Sequence, residues 1–140
     1  MNKDAKNKAV QGTFECSHYI GQKVDIQIDR PLGSKHPDHG FEYPINYGFI
    51  PNTMTEDGEE LDAYVLGVAE AINSFTGSVI AMIHRLNDID DKLVVAPDGQ
   101  IFTDEQIREL TMFQEQYFES VILRSPLEKK NVYLYSNKTV

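Results

Sequence analysis

Short stretches of β-forming residues, separated by turns rich in Gly, Pro and Asp, constrain the fold of this chain more than any other feature. Val24, Ile26 and Ile28 alternate with polar residues, which is typical of a strand with one buried face. We expect further strands at residues 62–67, 78–85, 93–96 and 132–135, and short extended pieces at residues 43–51. Residues 30–40, dense in Pro, Gly and His, predict a loop.

One segment has helical periodicity instead, and it begins after Thr103. Thr103 and Gln106 fit a capping box, in which each side chain bonds the other residue's backbone N–H. Apolar residues then recur every three or four positions, at Ile107, Leu110, Phe113, Tyr117 and Val121. This stripe predicts a helix that ends before Ser125 and Pro126. The pattern as a whole predicts a mainly β fold, a closed β-barrel with one long C-terminal helix packed on it.

The length and composition are those of one small globular domain. A chain of 140 residues with 41% apolar and 25% charged residues suits a single domain over residues 1–140, with residues 1–10 flexible. No uncharged apolar stretch approaches the roughly 20 residues of a membrane helix, and the first residues lack the apolar core of a secretion signal. With one cysteine, Cys16, we expect a cytoplasmic protein without a membrane partner.

The charge balance excludes one common function. The chain carries 13 basic and 22 acidic residues, for a net charge of -9, and the basic residues are not segregated. Such a surface repels nucleic-acid phosphates, so we expect no nucleic-acid partner. If the chain binds a phosphate compound, metal ions are the expected source of the missing positive charge.

The densest acidic cluster lies at residues 56–62, with five carboxylates in seven residues. So many like charges are unfavourable unless they are solvated or neutralised by a cation. Gly58 permits a sharp bend that would turn the flanking carboxylates toward one point, and Asp62 begins an apolar strand. A metal site is one interpretation, and a solvated charged turn is the other.

A second cluster contains Asp88, Asp90, Asp91 and Lys92. In an extended chain Asp88, Asp90 and Lys92 share one face, and Asp91 points the other way. Two carboxylates beside an ammonium group suit a metal–phosphate unit, whereas an ordinary polar hairpin is the alternative. The oxygen ligands favour Mg²⁺, or Mn²⁺, over zinc.

The sequence alone does not decide the role of two further groups of side chains, three tyrosines and two histidines. Tyr43, Tyr47 and Tyr117 are either core residues or donors of hydroxyl groups to phosphate oxygens. His36 and His39 have a metal-like H-x-x-H spacing, but no second Cys or His pair follows at zinc-site distance. A histidine metal site is therefore disfavoured, and no P-loop, G-x-G-x-x-G or G-x-S-x-G motif occurs.

Four elements of the sequence, taken in order, resemble the soluble (family I) inorganic pyrophosphatases. They are YPINYGFIP at residues 43–51, DGEELD at 57–62, DIDDKLVVAP at 88–97 and FQEQY at 113–117. The resemblance covers roughly residues 24–117. It implies an OB-like β-barrel and the Mg²⁺-dependent hydrolysis of pyrophosphate to two phosphates.

The resemblance also implies roles for individual residues. It assigns catalytic roles to Glu59 and Asp57, with Glu59 at the position of the general base. The metal ligands that it implies are Asp57, Asp62, Asp88 and Asp90, and the phosphate-binding groups are Tyr47, Lys92 and Tyr117. Arg30 and Lys35 are candidates for two early basic residues of the family that have no clear equivalents in this chain.

The chain departs from the family pattern at several of these positions. Glu59 stands where the family usually has Asp, Gln27 where it has Glu, and Phe118 where it has Lys. A shift of about an ångström at a catalytic group can cost on the order of 10²-fold in rate. A catalytically weak or inactive paralogue that binds a metal–phosphate ligand is therefore the alternative to an active enzyme. We expect a homo-oligomer in either case.

Overall fold

A computed structural model of the chain describes residues 16–53, 58–88 and 90–126. The predicted flexible start at residues 1–10, the carboxylate of Asp57 and the predicted strand at residues 132–135 lie outside these ranges. No helix in the described part of the chain is long and apolar enough to span a bilayer.

The described residues form a short 3-10 helix (Cys16–Tyr19), six strands and one α-helix. In chain order the elements after the 3-10 helix are β1 (Lys23–Arg30), β2 (Asn46–Ile50), β3 (Leu61–Val65), β4 (Ser74–Arg85), β5 (Lys92–Ala96), α1 (Asp104–Glu115) and β6 (Ser120–Leu123). Each strand predicted within the described residues is present, and the predicted loop at residues 30–40 follows β1.

Five of the strands close into a barrel, which confirms the predicted architecture. The sheet order is β1-β2-β3-β5-β4, and β1 also pairs with β4 to complete the ring. All pairs are antiparallel except β3 with β5, which is parallel. The long strand β4 can serve three neighbours because β1 pairs with its first part, β5 with its middle and β6 with its last four residues.

The period-two alternation of the strands sorts side chains into two apolar clusters. Leu61, Ala63 and Val65 point into the barrel with Leu93 and Val95. The intervening residues of β3 and β5 face outward, where Tyr64 and Val94 pack beneath the helix with Ile107. Complete burial of a large apolar side chain contributes about 1.5–3 kcal/mol, so both clusters fix the strand register. The same alternation directs Asp62 and Lys92 to the outer face.

Strands β1 and β2 approach each other closely at Gly48. A Cβ atom at this position would collide with the backbone carbonyl oxygen of Gln27, so only glycine fits. Tyr47, the residue before it, is thereby kept at a fixed position beside β1, opposite Arg30 in the register. This contact determines where the hydroxyl of Tyr47 emerges on the outer face.

The helix begins as predicted. The Thr103 hydroxyl accepts a hydrogen bond from the backbone N–H of Gln106 at 3.1 Å, and the Gln106 side chain accepts one from Thr103 N–H at 2.8 Å. This reciprocal pair is the predicted capping box. Asp104 and Glu105 follow in the first turn, where negative charge suits the positive end of the helix dipole.

The predicted end of the helix is wrong. α1 ends at Glu115, and Ser120–Leu123 forms β6 instead of continuing the helix. The last residues of β4 would otherwise leave a sheet edge unpaired, and the β-branched Val121 and Ile122 suit a ladder with them. Tyr117 therefore lies outside the helix and is 67% exposed, so it does not continue the buried stripe.

Candidate active site

A cavity of about 640 Å³ opens on the outer face of the barrel, beside the C-terminal end of α1. Its walls come from the end of β1, the loop before β2, strands β2 and β3, the end of β4, the start of β5, the end of α1 and the residues after it. Its charged lining residues are Asp29, Asp62, Asp90, Arg30, Arg85 and Lys92, and its other lining residues are His36, His39, Phe41, Tyr43, Tyr47, Gln114, Tyr117 and Phe118.

Lys92 joins the two acidic segments of the sequence at this cavity. Its Nζ atom lies 2.6 Å from Asp62 Oδ2 and 2.8 Å from Asp90 Oδ2. The parallel pairing of β3 with β5 brings these residues together, because Asp62 and Lys92 are direct partners in its register. The lysine side chain is 3% exposed, whereas the two carboxylates are 29% and 28% exposed. The ammonium group is thus enclosed, and the carboxylates remain open to the cavity.

Tyr47 fixes the orientation of Asp62. Its hydroxyl donates a hydrogen bond to Asp62 Oδ2 at 2.9 Å. Burial raises the pKa of Tyr47 well above its usual value, and the negative charge of Asp62 raises it further. The tyrosine therefore stays protonated near neutral pH and remains a donor to the carboxylate.

Burial and neighbouring negative charge raise the pKa of two carboxyl groups at the cavity, Asp90 and Asp29. Burial raises the pKa of Asp90, Lys92 opposes that shift, and the charge of Asp62 adds to it. Burial likewise raises the pKa of Asp29, against the effect of Arg30, and the charges of Asp62 and Glu60 contribute to the rise. These shifts mean that an additional cation at the cavity would be favourable.

Arg85 forms a second, more enclosed ion pair. Its Nε lies 3.1 Å from Glu115 Oε1 and its Nη2 lies 2.7 Å from Glu115 Oε2, a bidentate arrangement. Burial alone would lower the pKa of the guanidinium, but hydrogen bonds and charge from Glu115 outweigh that effect and raise it. The guanidinium carbon also lies 3.6 Å from the centre of the Phe118 ring, within cation–π distance.

The remaining Nη1 atom of Arg85 points to the acidic connection between β4 and β5. It lies 3.4 Å from Asp88 Oδ2 and 3.7 Å from Asp90 Oδ2. Asp91 turns the other way, and its carboxylate lies 3.0 Å from His84 Nδ1 and accepts a hydrogen bond from the backbone N–H of Arg85. These contacts fix the connection so that Asp90 reaches Lys92.

A chain of hydrogen bonds ties the helix to the barrel beneath the cavity. Tyr64 donates to Glu115 Oε2 at 2.6 Å, and Gln114 Nε2 donates to the Tyr64 hydroxyl at 2.8 Å. Tyr43 in turn donates to Gln114 Oε1 at 3.4 Å. The last turn of α1 is therefore positioned by strand residues, and with it the aromatic residues that follow the helix.

The structure brings together six of the residues that the sequence nominated. Arg30, Tyr47, Asp62, Asp90, Lys92 and Tyr117 all line the cavity. Three others, Glu59, Lys35 and Asp88, are not among the lining residues. Glu59 and Lys35 are exposed, and Asp88 contacts Arg85. Asp57 lies outside the described residues.

The donor chemistry of the open carboxylates fits a hard divalent cation. Within residues 16–53, 58–88 and 90–126, no three His, Cys, Asp or Glu side chains form a ready-made metal cage. Asp62 and Asp90 each use Oδ2 for Lys92, and neither Oδ1 accepts a hydrogen bond from the described residues. They offer oxygen ligands alone, which suit Mg²⁺ or Mn²⁺.

Sequence reasoning missed several lining residues. Asp29 stands on the polar side of the β1 alternation, and it lines the cavity together with Arg30 at the end of the strand. Arg85 ends a strand directly before an acidic connection, a position that could have drawn attention to it. Its partner Glu115, thirty residues away, gave no such signal. For His36 and His39 the sequence disfavoured a metal pair, and a contact of His36 with substrate had no support in the sequence.

The fold and this cavity define a small closed-barrel protein with a charged outer site, suited to an anion that arrives with cations. Comparison with known proteins then identifies the family. The family profile described as inorganic pyrophosphatase matches residues 18–123. The chain belongs to the inorganic pyrophosphatase family, as the resemblance in its sequence indicated.

Individual relatives agree with this assignment. An inorganic pyrophosphatase of Methanosarcina mazei is 32% identical over 142 residues, covering 89% of this chain and 75% of that protein. One from Rickettsia felis is 28% identical over 118 residues, covering 76% of this chain. The chain spans 66% of the length of that relative.

A solved structure is similar in fold. The crystal structure of inorganic pyrophosphatase from Thermus thermophilus superposes with a TM-score of 0.57 at 22% identity, covering 76% of this chain and 84% of that one. At this identity the similarity shows the fold alone.

Proposed function

We propose that this chain hydrolyses inorganic pyrophosphate to two phosphates at the cavity around Lys92, using Mg²⁺ as its cofactor, with Mn²⁺ as a possible substitute. The observation that carries the proposal is the contact of Lys92 Nζ with both Asp62 and Asp90, at 2.6 and 2.8 Å. It joins the two acidic segments of the sequence, through Asp62 of β3 and Asp90 just before β5, at one point. Membership of the inorganic pyrophosphatase family supports the choice of substrate.

The charge of the cavity supports a requirement for divalent cations. Three carboxylates and three basic side chains line it, but Glu115 already neutralises Arg85. The remaining balance of Asp29, Asp62 and Asp90 against Arg30 and Lys92 is negative. Pyrophosphate is itself a multiply charged anion, so it binds favourably at this cavity only with added positive charge.

Asp62 and Asp90 would hold the metal through their open oxygens, and we propose Asp57 and Asp88 as further ligands. When bound, a divalent ion lowers the pKa of a coordinated water and neutralises charge on the phosphoryl oxygens. Tyr47 keeps the Asp62 carboxylate in one orientation through its hydrogen bond to Oδ2. Arg85 does the same for the Asp88–Asp90 connection.

Basic and hydroxyl groups of the chain would bind the substrate's phosphoryl oxygens. Lys92 and Arg30 supply positive charge, and Tyr117 supplies an exposed hydroxyl at the cavity rim. Lys35 stays a candidate through its place in the loop that follows Arg30. These groups orient the anion and stabilise the charge that develops as the bridging P–O bond breaks, with the attacking water supplying one oxygen and two hydrogens to the products.

We propose Glu59, with Asp57, as the group that accepts the proton of the attacking water. Glu59 occupies the turn that leads directly into Leu61 and Asp62 of β3. Glu59→Asp shortens the side chain by one methylene and should keep or increase the rate of phosphate release. A large loss of activity would mean that the site is adapted to the longer glutamate.

Phosphate release from pyrophosphate by the purified full chain tests the function. We expect turnover with Mg²⁺, turnover with Mn²⁺, and none after chelation with EDTA. Tripolyphosphate and ADP, assayed in parallel, report whether other phosphoanhydrides are substrates. Asp98→Asn is the matched control, because Asp98 pairs with Lys23 at an exposed site that is not part of the cavity lining.

The outcomes of this assay separate an active enzyme from a binding paralogue. Absence of metal-dependent turnover in pure protein would contradict the enzyme and favour a paralogue that only binds a metal–phosphate ligand. Cytoplasmic location and homo-oligomerisation remain proposals, which fractionation of the source cells and light scattering of the purified chain would test.

A further inference from the structure

The segment between β1 and β2 is a compact hairpin that carries His36 to the cavity wall. Its backbone folds back on itself through hydrogen bonds from Tyr43 N–H to the Ser34 carbonyl and from His36 N–H to the Phe41 carbonyl, both 2.8 Å long. Lys35 and Glu42 form a β-bridge at the same level. The residues predicted as a loop therefore have a defined structure.

The imidazole ring of His36 is fixed in this hairpin. Its Nδ1 atom accepts hydrogen bonds from the backbone N–H groups of Asp38, at 3.1 Å, and His39, at 3.2 Å. The ring also packs against Phe41, with centroids 4.8 Å apart, and lies nearly parallel to Tyr43, with an interplanar angle of 10°. Backbone and ring contacts together leave the imidazole a single orientation.

These contacts also determine where the ring proton lies. A nitrogen that accepts hydrogen bonds from two N–H groups carries no proton, so the neutral ring is protonated at Nε2. No described residue accepts a hydrogen bond from this Nε2–H group. His36 thus directs an N–H donor that is fixed in place to a cavity that Arg30 also lines.

We propose that His36 is a substrate-binding residue, whose Nε2–H group donates a hydrogen bond to a phosphoryl oxygen of the diphosphate. The inference rests on the proposed function, since it names a ligand contact at the same cavity. It assigns an imidazole N–H donor to a site whose other phosphate-binding groups are cations and hydroxyls. Binding through His36 therefore does not require a protonated, positively charged imidazole.

Two amide substitutions separate the roles of the two ring nitrogens. In His36→Asn the amide oxygen replaces Nδ1 as the acceptor, but nothing reaches the position of Nε2. In His36→Gln the amide nitrogen reaches the position of Nε2 and restores a donor. We expect His36→Asn to raise the KM for Mg²⁺–pyrophosphate and the Kd for imidodiphosphate by about ten- to hundredfold, the range for a hydrogen bond to a charged group.

The other kinetic readouts are equally specific. We expect kcat of His36→Asn to change by less than about threefold and His36→Gln to recover most of the lost affinity. His18→Asn is the control, since His18 is exposed and is not among the cavity-lining residues.

Nitrogen-15 NMR of the histidine rings tests the inference without catalysis. The His36 resonances of the free protein should show the Nε2-protonated tautomer, and imidodiphosphate with Mg²⁺ should shift Nε2 more than Nδ1. An Nδ1-protonated ring, or wild-type affinity in His36→Asn, would overturn the role of His36 while leaving the proposed enzyme intact. A wild-type chain that neither hydrolyses pyrophosphate nor binds imidodiphosphate would overturn both.

Discussion

Two buried cations, Lys92 and Arg85, lie on the same side of the barrel and bind carboxylates in different ways. Lys92 is 3% exposed, but its partners Asp62 and Asp90 are 29% and 28% exposed and line the cavity. Arg85 is 4% exposed, and its main partner Glu115 is 7% exposed and bound in a bidentate arrangement. The carboxylates that bind Lys92 are thus open to the cavity, whereas both members of the Arg85–Glu115 pair are enclosed. We call Lys92 with Asp62 and Asp90 the open pair, and Arg85 with Glu115 the closed pair.

The difference indicates two different roles. The partners of Lys92 retain oxygens that can ligate a cation, so the open pair can rearrange its contacts when metal and substrate bind. The carboxylate of Glu115 already accepts hydrogen bonds from Arg85 and Tyr64, so the closed pair fixes the helix to β3 and β4. We infer that the open pair provides the chemistry and that the closed pair positions the wall beside it.

The largest expected effect on stability comes from removing the carboxylate charge of Glu115 in the closed pair. Glu115→Gln keeps the side-chain volume but removes the bidentate carboxylate partner of the buried Arg85, which then has only the longer contacts to Asp88 and Asp90. We expect the free energy of unfolding to fall by about 3–5 kcal/mol, measured by urea denaturation. Glu109→Gln, on the same helix but exposed, is the control and should change stability by less than about 0.5 kcal/mol. An equally small effect of Glu115→Gln would mean that the two ion pairs do not differ as described.

The open pair should show the reverse, a large loss of activity with little loss of stability. Asp62→Asn removes the ligand charge and keeps the volume, and Lys92 retains Asp90 as a partner. We expect phosphate release to fall on the order of 10²–10³-fold, with a smaller loss of unfolding free energy than for Glu115→Gln, because Lys92 keeps Asp90 at 2.8 Å. Normal turnover by this variant would show that Asp62 is not a ligand.

The smallest effect is expected at Asp29, whose raised pKa comes from burial and from its acidic neighbours. Because the folded state holds this proton more tightly than the unfolded chain does, ionisation of Asp29 at neutral pH opposes folding. Asp29→Asn should therefore raise Tm near pH 7. The gain should shrink as pH falls from the raised pKa of the folded state toward about 4, the usual carboxyl range.

Thermal melts at several pH values measure this effect. Asp25→Asn is the comparison variant, since Asp25 lies on the same strand but bonds Thr76 and is not among the residues that line the cavity. A lower Tm for Asp29→Asn at neutral pH would show that Asp29 is stabilised in its charged form, which contradicts a net penalty from burial and repulsion by Asp62 and Glu60.

Much of the barrel could be predicted because each strand carries its own local signal. The alternation in β1 and the capping box of α1 depend on neighbours in sequence, and both are present in the structure. The end of α1 could not be predicted in this way. Its apolar spacing continues to Tyr117 and Val121, but pairing with β4 makes residues 120–123 a strand.

The site was less accessible to sequence reasoning because its contacts are long-range. Asp62 and Lys92 are thirty residues apart and meet only through the parallel pairing of β3 with β5. The spacing of Asp90 and Lys92 indicated a shared face, but nothing local indicated that Asp62 would join them. Arg85 and Glu115 come together only because α1 packs on the barrel, and this packing has no local pattern in the sequence. The four family-like segments, taken in order, nominated some of these residues where local patterns could not.

The most direct test of metal–diphosphate binding by the carboxylates around Lys92 is the shift in Tm on adding Mg²⁺ with imidodiphosphate, compared among wild type, Asp62→Asn and Glu115→Gln. A ligand that binds only the folded chain raises Tm with concentration. We predict that the ligand raises the Tm of wild type. Glu115→Gln should have a lower Tm without ligand, but the ligand should still raise it. Asp62→Asn should have a Tm near that of wild type without ligand, and the ligand should not raise it. A wild-type response in Asp62→Asn would contradict the claim that these carboxylates bind the metal–diphosphate.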